Sequence, residues 1–175
     1  MSYIFLVKVY NIYSMKVQGL RFDTKNGAIR EISDQDIYFL SSDMIQEDLD
    51  YCRDAGYGNN TIKAVLSHVM NSSFCFSVED VDGKLVFTFG FLPSEEEGVC
   101  TMWAFSTNQL FKIKNPVVSM DFLSNVNEIL DFMNNIYPVI KASINKNNKN
   151  GRRRLKFAGF KLYSLEGEIA SYLRS

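Results

Sequence analysis

The chain holds one histidine, His68, and three cysteines, Cys52, Cys75 and Cys100, with no Cys-x-x-Cys pair. A Ser-His-Asp or Cys-His nucleophile, or a histidine-rich metal site, would rest on His68 alone. Ile62, Val65, Leu66 and Val69 mark an apolar helix face with His68 at its border, which favours packing over catalysis. The cysteines read as reduced, buried thiols. Asp80, Asp82 and Gly83 match part of a calcium loop but lack its bidentate glutamate, so they read as a hairpin turn. Glu95, Glu96 and Glu97 are the densest carboxylate run, readable as a source of a general base, Glu97, or as a solvated turn. Arg152, Arg153 and Arg154, preceded by Lys146 and Lys149, form a basic patch that can grip phosphate of nucleic acid or of a cofactor tail. The same residues also read as the exposed faces of a short helix. Trp103 and Phe105 alternate along a strand and share one face, where core packing is their default role.

Positioning these groups requires regular elements. Residues 3 to 10 and Met15 to Phe22 are rich in strand formers and predict extended segments. Asn26-Gly27 predicts a hairpin turn, because both residues tolerate positive φ, and it leads into Ile29 to Ile32. Ser33 to Asp36 offer N-cap oxygens to a helix carrying Ile37, Leu40, Met44 and Ile45. After Gly56 and Gly58, Asn60 or Thr61 caps a second helix that ends near Asn71. Strands are predicted at Phe74 to Glu79, Leu85 to Leu92 and Val99 to Ser106, the first two antiparallel across the Asp80 to Gly83 turn. Pro116 opens the longest helical pattern, with Phe122, Leu123, Val126, Ile129, Leu130 and Met133 on one face. A strand at Tyr137 to Ile144, a basic helix at Asn147 to Phe157 and a last strand at Phe160 to Leu165 complete the order. It predicts a mixed sheet with helices packed against it.

Composition narrows the function classes. The 175 residues suit one domain, and 46% hydrophobic with 22% charged residues excludes wholesale disorder. A net charge of −1 supplies no global field toward nucleic acid or an anionic membrane. The N-terminus shows no signal-peptide pattern, and no stretch approaches the roughly 18 to 20 apolar residues of a membrane span, so a soluble protein is expected. Fourteen Phe and nine Tyr raise the expectation of contact surfaces.

The element order, with Asn148, Gly151 and Gly159-Phe160 near the C-terminus, resembles the GNAT acyltransferase family over roughly residues 29 to 165. In that family an asparagine and a small residue precede a Gly-Phe that opens the last strand. The implied fold is α/β (α+β): a mixed, mostly antiparallel twisted sheet of about six or seven strands flanked by about four helices. Residues 1–28 would form an N-terminal extended segment or extra strands, and residues 29–175 the GNAT-like domain. Trp103-Ala-Phe105-Ser-Thr107, Asn148 and Leu155-Lys156-Phe-Ala-Gly159 further resemble the GNAT-like internal virion protein group of short-tailed bacteriophages.

The resemblance also sets expectations for the site. The family's glycine-rich cofactor loop lets backbone N–H groups approach a pyrophosphate at a helix N-terminus. Here that stretch runs from Asn108 to Pro116 and contains no glycine. The cofactor-binding candidates, if binding is retained, are Phe105, Thr107, Asn108, Gln109, Lys112, Lys114 and Asn148. Family members often carry a proton-donating tyrosine where this chain has Leu155, which leaves Tyr163 and Glu97 as weak catalytic candidates and no metal site. The leading expectation is therefore a non-enzymatic virion-associated or virion-assembly protein that uses a degenerate acetyltransferase fold as a scaffold and needs no cofactor. Its partners would be portal, internal head or tail proteins, with nucleic acid as a further partner of Arg152 to Arg154, and its location the host cytoplasm during assembly or the virion. The competing expectation is a divergent N-acetyltransferase that uses acetyl-CoA, with backbone amides near Phe105 to Gln109 polarising the thioester carbonyl.

Overall fold

The structure, a computed structural model, describes residues 21–113 and 116–175. Of the two extended segments expected before residue 23, only Arg21 and Phe22 fall within this range, at the start of the first strand. Eight strands form one sheet: β1 (Arg21–Thr24), β2 (Gly27–Glu31), β3 (Phe74–Asp80), β4 (Leu85–Pro93), β5 (Val99–Ser106), β6 (Val139–Asn145), β7 (Lys161–Glu166) and β8 (Ile169–Arg174). Their spatial order is β1-β2-β3-β4-β5-β6-β8-β7, antiparallel throughout except for the parallel pair β5–β6. Among the described residues there are six α-helices: α1 (Asp34–Asp43), α2 (Gln46–Cys52), α3 (Thr61–Asn71), α4 (Gln109–Lys112), α5 (Pro116–Ile136) and α6 (Lys149–Phe157). A single π-type turn, Arg53–Tyr57, continues α2. No helix among the described residues is long and apolar enough to cross a membrane.

Side-chain alternation along the central strands divides the interior in two. Cys100 and Met102 of β5 face α5, where they join Phe89, Phe91, Val126, Ile129 and Met133. Trp103 and Phe105 face the other way, toward Leu40 of α1 and Ala64 and Val65 of α3. The expected face of α5 is the buried one, with Phe122, Val126, Ile129, Leu130 and Met133 all buried.

Ser33 caps α1 through a capping box with Asp36. Arg30 on β2 holds the Asp36 carboxylate with both guanidinium ends, at 2.5 and 2.7 Å, and reaches Glu79 on β3 at 2.6 Å. This charge network ties the start of α1 to the β2–β3 pair.

Two sequence expectations need correction. The β1–β2 turn consists of Lys25 and Asn26, and no residue other than glycine has positive φ among the described residues. Gly27 instead permits a close approach, since a Cβ there would lie 1.9 Å from the Glu79 carbonyl oxygen on β3. The second correction concerns the C-terminus, where β7 is not the last strand. A hairpin through Gly167, at φ 57, brings β8 back between β6 and β7 and buries Tyr172 completely.

Candidate functional site

The parallel ladder between β5 and β6 is short, running only from Val99↔Val139 to Met102↔Ala142. Past Met102, β5 stays with β4, pairing Trp103 with Gly90 and Ser106 with Phe87. Past Ala142, β6 stays with β8, pairing Ser143 with Ser171 and Asn145 with Ile169. The sheet therefore splits, and backbone groups that would have bonded across the gap face a cavity of about 540 Å³.

Helices α6, α2 and α3, together with β5, are among the elements that close the cavity around the gap. Helix α6 presents Asn148, Gly151, Arg154, Leu155 and Ala158, which fall at helical spacing on one side of the helix. Gly151 leaves room for Ile144 in this seat, because a Cβ on it would lie 2.1 Å from the Ile144 Cδ1 and force that methyl to move. Helix α2 contributes Glu47, Asp48 and Tyr51. From β5 and α3 come Trp103, Phe105 and His68, whose rings meet edge to face at centroid separations of 5.4 Å and 5.0 Å from the histidine.

Asp48 is the chemically distinctive group. Its Oδ2 accepts the Ser106 N–H at 2.6 Å, so the carboxylate sits at the free edge of β5. Loss of solvent around it raises its pKa to about 7, against the opposing pull of the Ser106 N–H and of Arg154. Arg154 is held below its ordinary pKa by burial, partly offset by the charges of Asp48 and Glu47. Burial also raises the Tyr51 phenol and lowers His68, which hydrogen-bonds the Ala64 carbonyl at 2.8 Å through Nδ1. Thr107 donates its N–H to Val86 of β4, so N–H directions alternate: the Ser106 N–H faces the gap and that of Ala104 does likewise.

The expected site residues are dispersed. Phe105 and Asn148 line the cavity, but the Asn148 Oδ1 is occupied as the N-cap of α6, accepting the Gly151 N–H at 2.7 Å. Thr107 is buried and donates its hydroxyl to Leu85 and Val86 carbonyls, Asn108 binds Asp43, and Gln109 binds Asp80. Lys112 is exposed, and Lys114 lies outside the described residues. Glu97 is exposed in the turn before β5, and Tyr163 is 72% exposed on the edge strand β7; neither lines the cavity.

The three arginines do not act as one patch. Arg152 donates to the Tyr172 hydroxyl at 2.9 Å and the Lys146 carbonyl at 3.1 Å, Arg153 is exposed, and Arg154 enters the cavity. Helix geometry separates neighbours by about a quarter turn, which a run read as a string conceals. His68 is buried as packing requires, yet it also borders the cavity. Asp48, Tyr51 and Glu47 had no sequence signal beyond an acidic stretch, because α2 is a short helix with no side-chain cap hydrogen bond. Among the described residues no group of three or more metal-ligating side chains occurs.

No protein-family model and no curated protein sequence matches this chain. Its architecture is nevertheless that of solved acetyltransferases. An acetyltransferase of the GNAT family from Bacillus anthracis aligns over 89% of this chain and 98% of its own, with TM-score 0.62 and 14% identity. The ribosomal-protein-S5-alanine acetyltransferase from Vibrio fischeri covers 88% and 94% with TM-score 0.54 and 16% identity. A GCN5-related N-acetyltransferase from Brucella melitensis covers 91% and 80% with TM-score 0.57 and 13% identity. Identities this low establish the fold alone, and the chain has the GNAT fold. Nothing in these likenesses supports the phage virion grouping or a retired enzyme.

Proposed function

We propose that the chain is an acyl-CoA-dependent N-acyltransferase that works in the gap between β5 and β6. The observation that carries this reading is the split of the sheet beyond Met102, with a cavity at the split and a carboxyl of pKa about 7 on its wall. The fold of the acetyltransferases it resembles supports it, and so displaces the scaffold reading as the leading one.

The residues present fit the acyl end of such a cofactor better than its phosphate end. The gap offers the free N–H of Ala104 and an apolar wall, whereas Asn108 to Pro116 contains no glycine and Thr107, Asn108 and Gln109 spend their side chains on protein partners. Acetyl-CoA supplies an activated carbonyl at which an amine forms a C–N bond as the C–S bond breaks, the thiol leaving with a proton. Asp48 is placed to take the proton the attacking amine loses, because its carboxyl lines the cavity and its pKa lies near neutrality. The Ala104 N–H is a fixed donor for an oxygen that gains charge between the strands. Tyr51 is the cavity's tyrosine, remains protonated because burial raises its pKa, and is the available proton donor in place of Leu155.

Calorimetric titration with acetyl-CoA, able to detect dissociation constants up to about a millimolar, tests the binding half of this reading. Release of free thiol in the presence of an amine tests the chemical half. Saturable binding is expected, weakened in Lys112→Ala and Lys114→Ala. Asp48→Asn should lower turnover by about 10²-fold or more while binding persists. Absence of both binding and thiol release would return the fold to the role of a scaffold.

A further inference from the structure

The wall of the cavity carries two opposite charges that do not neutralise each other directly. Asp48 projects from α2 and Arg154 from α6, both into the same space. Among the described residues the Arg154 guanidinium forms no hydrogen bond or ion pair, while that of its neighbour Arg152 bonds Tyr172 and Lys146. Asp48 is hydrogen-bonded by Ser106, through its backbone N–H at 2.6 Å and its side chain, and no cation forms an ion pair with it among the described residues. Desolvation shifts each group in the sense expected for a charge with too little compensation. A guanidinium that lies in a cavity without a bonded acceptor presents a planar fork of donors suited to a carboxylate.

The remaining walls decide what lies between these charges. Tyr51, Trp103, Phe105 and His68 put rings on an otherwise largely aliphatic lining that includes Ile45 and Met102. The other charged groups here are Glu47, beside Asp48 on α2, and none from β5; His68 is kept from its charged form by burial. The cavity therefore offers a negative pole on α2, a positive pole on α6 and an apolar lining that includes aromatic rings.

We propose that the acceptor is a free α-amino acid with an apolar or aromatic side chain, its ammonium group taken by Asp48 and its carboxylate by Arg154. The proposal deepens the acyltransferase reading and rests on it for the fate of the amine. Amino-acid binding as such does not depend on acyl transfer, so the two can fail separately. Arg154 is a specificity-determining residue: it selects amines that carry an adjacent carboxylate and excludes those that do not.

The test uses Trp103, the chain's one tryptophan, as a fluorescence reporter of the cavity it lines. The full chain is titrated with L-phenylalanine, phenethylamine and hydrocinnamate, which share a ring and differ in the two charged groups. The remaining proteinogenic amino acids are screened by thermal shift. L-Phenylalanine or another apolar amino acid is expected to bind at least about tenfold more tightly than its amine or acid analogue. In Arg154→Gln the preference of the amino acid over the amine should collapse to near parity. In Asp48→Asn the preference over the acid should collapse, while each variant keeps the wild-type near-ultraviolet circular dichroism that certifies its fold. Stabilisation by no amino acid, or tighter binding of the amine than of the amino acid, overturns the proposal. So does an unchanged preference in folded Arg154→Gln. Amino-acid binding with this pattern but without thiol release from acetyl-CoA would leave the zwitterion site standing and remove the acyl-transfer reading. Thiol release driven by phenethylamine as fast as by any amino acid would do the reverse.

Discussion

Replacing Asp48 by asparagine should stabilise the protein above neutral pH. In the unfolded chain an aspartate titrates near 3.8, and in the folded protein burial raises this one to about 7. Between those values the folded state holds a proton that the unfolded state has released, so stability from this site falls as pH rises. The full difference corresponds to a cost of about 4 kcal/mol once pH exceeds the folded pKa, with the attraction of Arg154 already included. Asparagine keeps the shape and can still accept the Ser106 N–H, but it gives up a charge-assisted bond for a neutral one, a loss of about 1 kcal/mol. The variant should therefore exceed wild type by roughly 2 to 4 kcal/mol at pH 8, and by close to nothing near pH 4. Urea unfolding of both proteins at pH 4.5, 6 and 8 measures this. His68 titrates in both and cancels in the difference. A variant no more stable than wild type at pH 8, or a difference that does not grow with pH, would refute the argument that Asp48 is a desolvated carboxyl. The expected exchange is then stability gained for turnover lost, the pattern of a strained functional group.

Three further substitutions test the supports of the site. Gly151→Ala drives a methyl into Ile144 and should cost about 1–3 kcal/mol in urea unfolding, partly recovered by adding Ile144→Val; a neutral single variant would contradict the packing of α6 on β6. For Asp36, burial works against the carboxylate but bonds from Arg30 and Ser33 outweigh it, so its pKa falls below the ordinary value. Its stabilisation is present above pH 3.8 and fades as pH falls through the folded pKa, so Asp36→Asn should cost about 3 kcal/mol at pH 7 and less at pH 3. Equal deficits at both pH values would count against the charge network. In Gly90→Ala the new Cβ would sit 2.7 Å from the Trp103 Nε1, which now donates to Ser72 at 2.8 Å. A displaced indole should change the tryptophan emission and near-ultraviolet signal, and an unaltered spectrum would place the ring elsewhere.

The sequence carried the local elements wherever local chemistry decides them. Ser33 with Asp36 announced α1, Asn60 or Thr61 announced α3, whose cap is Asn60, Val99 to Ser106 matched β5 at both ends, and the apolar stripe from Phe122 to Met133 gave the inner face of α5. Alternation also put Trp103 and Phe105 on one face. It did not show β8, because Ile169 to Arg174 reads as a strand only when β6 and β7 leave a place between them. Nor did it show α2, a seven-residue helix without a side-chain cap bond whose order depends on its neighbours.

The candidate site belongs almost wholly to that second category. A backbone N–H on β5 becomes free only because β6 departs to β8 after four ladder pairs, and ladder length is a property of two strands far apart in the chain. Asp48 and Arg154, more than a hundred residues apart, become counterparts across one cavity only when α2 and α6 close over that gap. Residue type determined which groups can hold a proton or a carboxylate. Tertiary packing decided which of them lose water, and desolvation is what gives Asp48 a pKa of about 7 while Glu97, equally a carboxylate, stays in solvent.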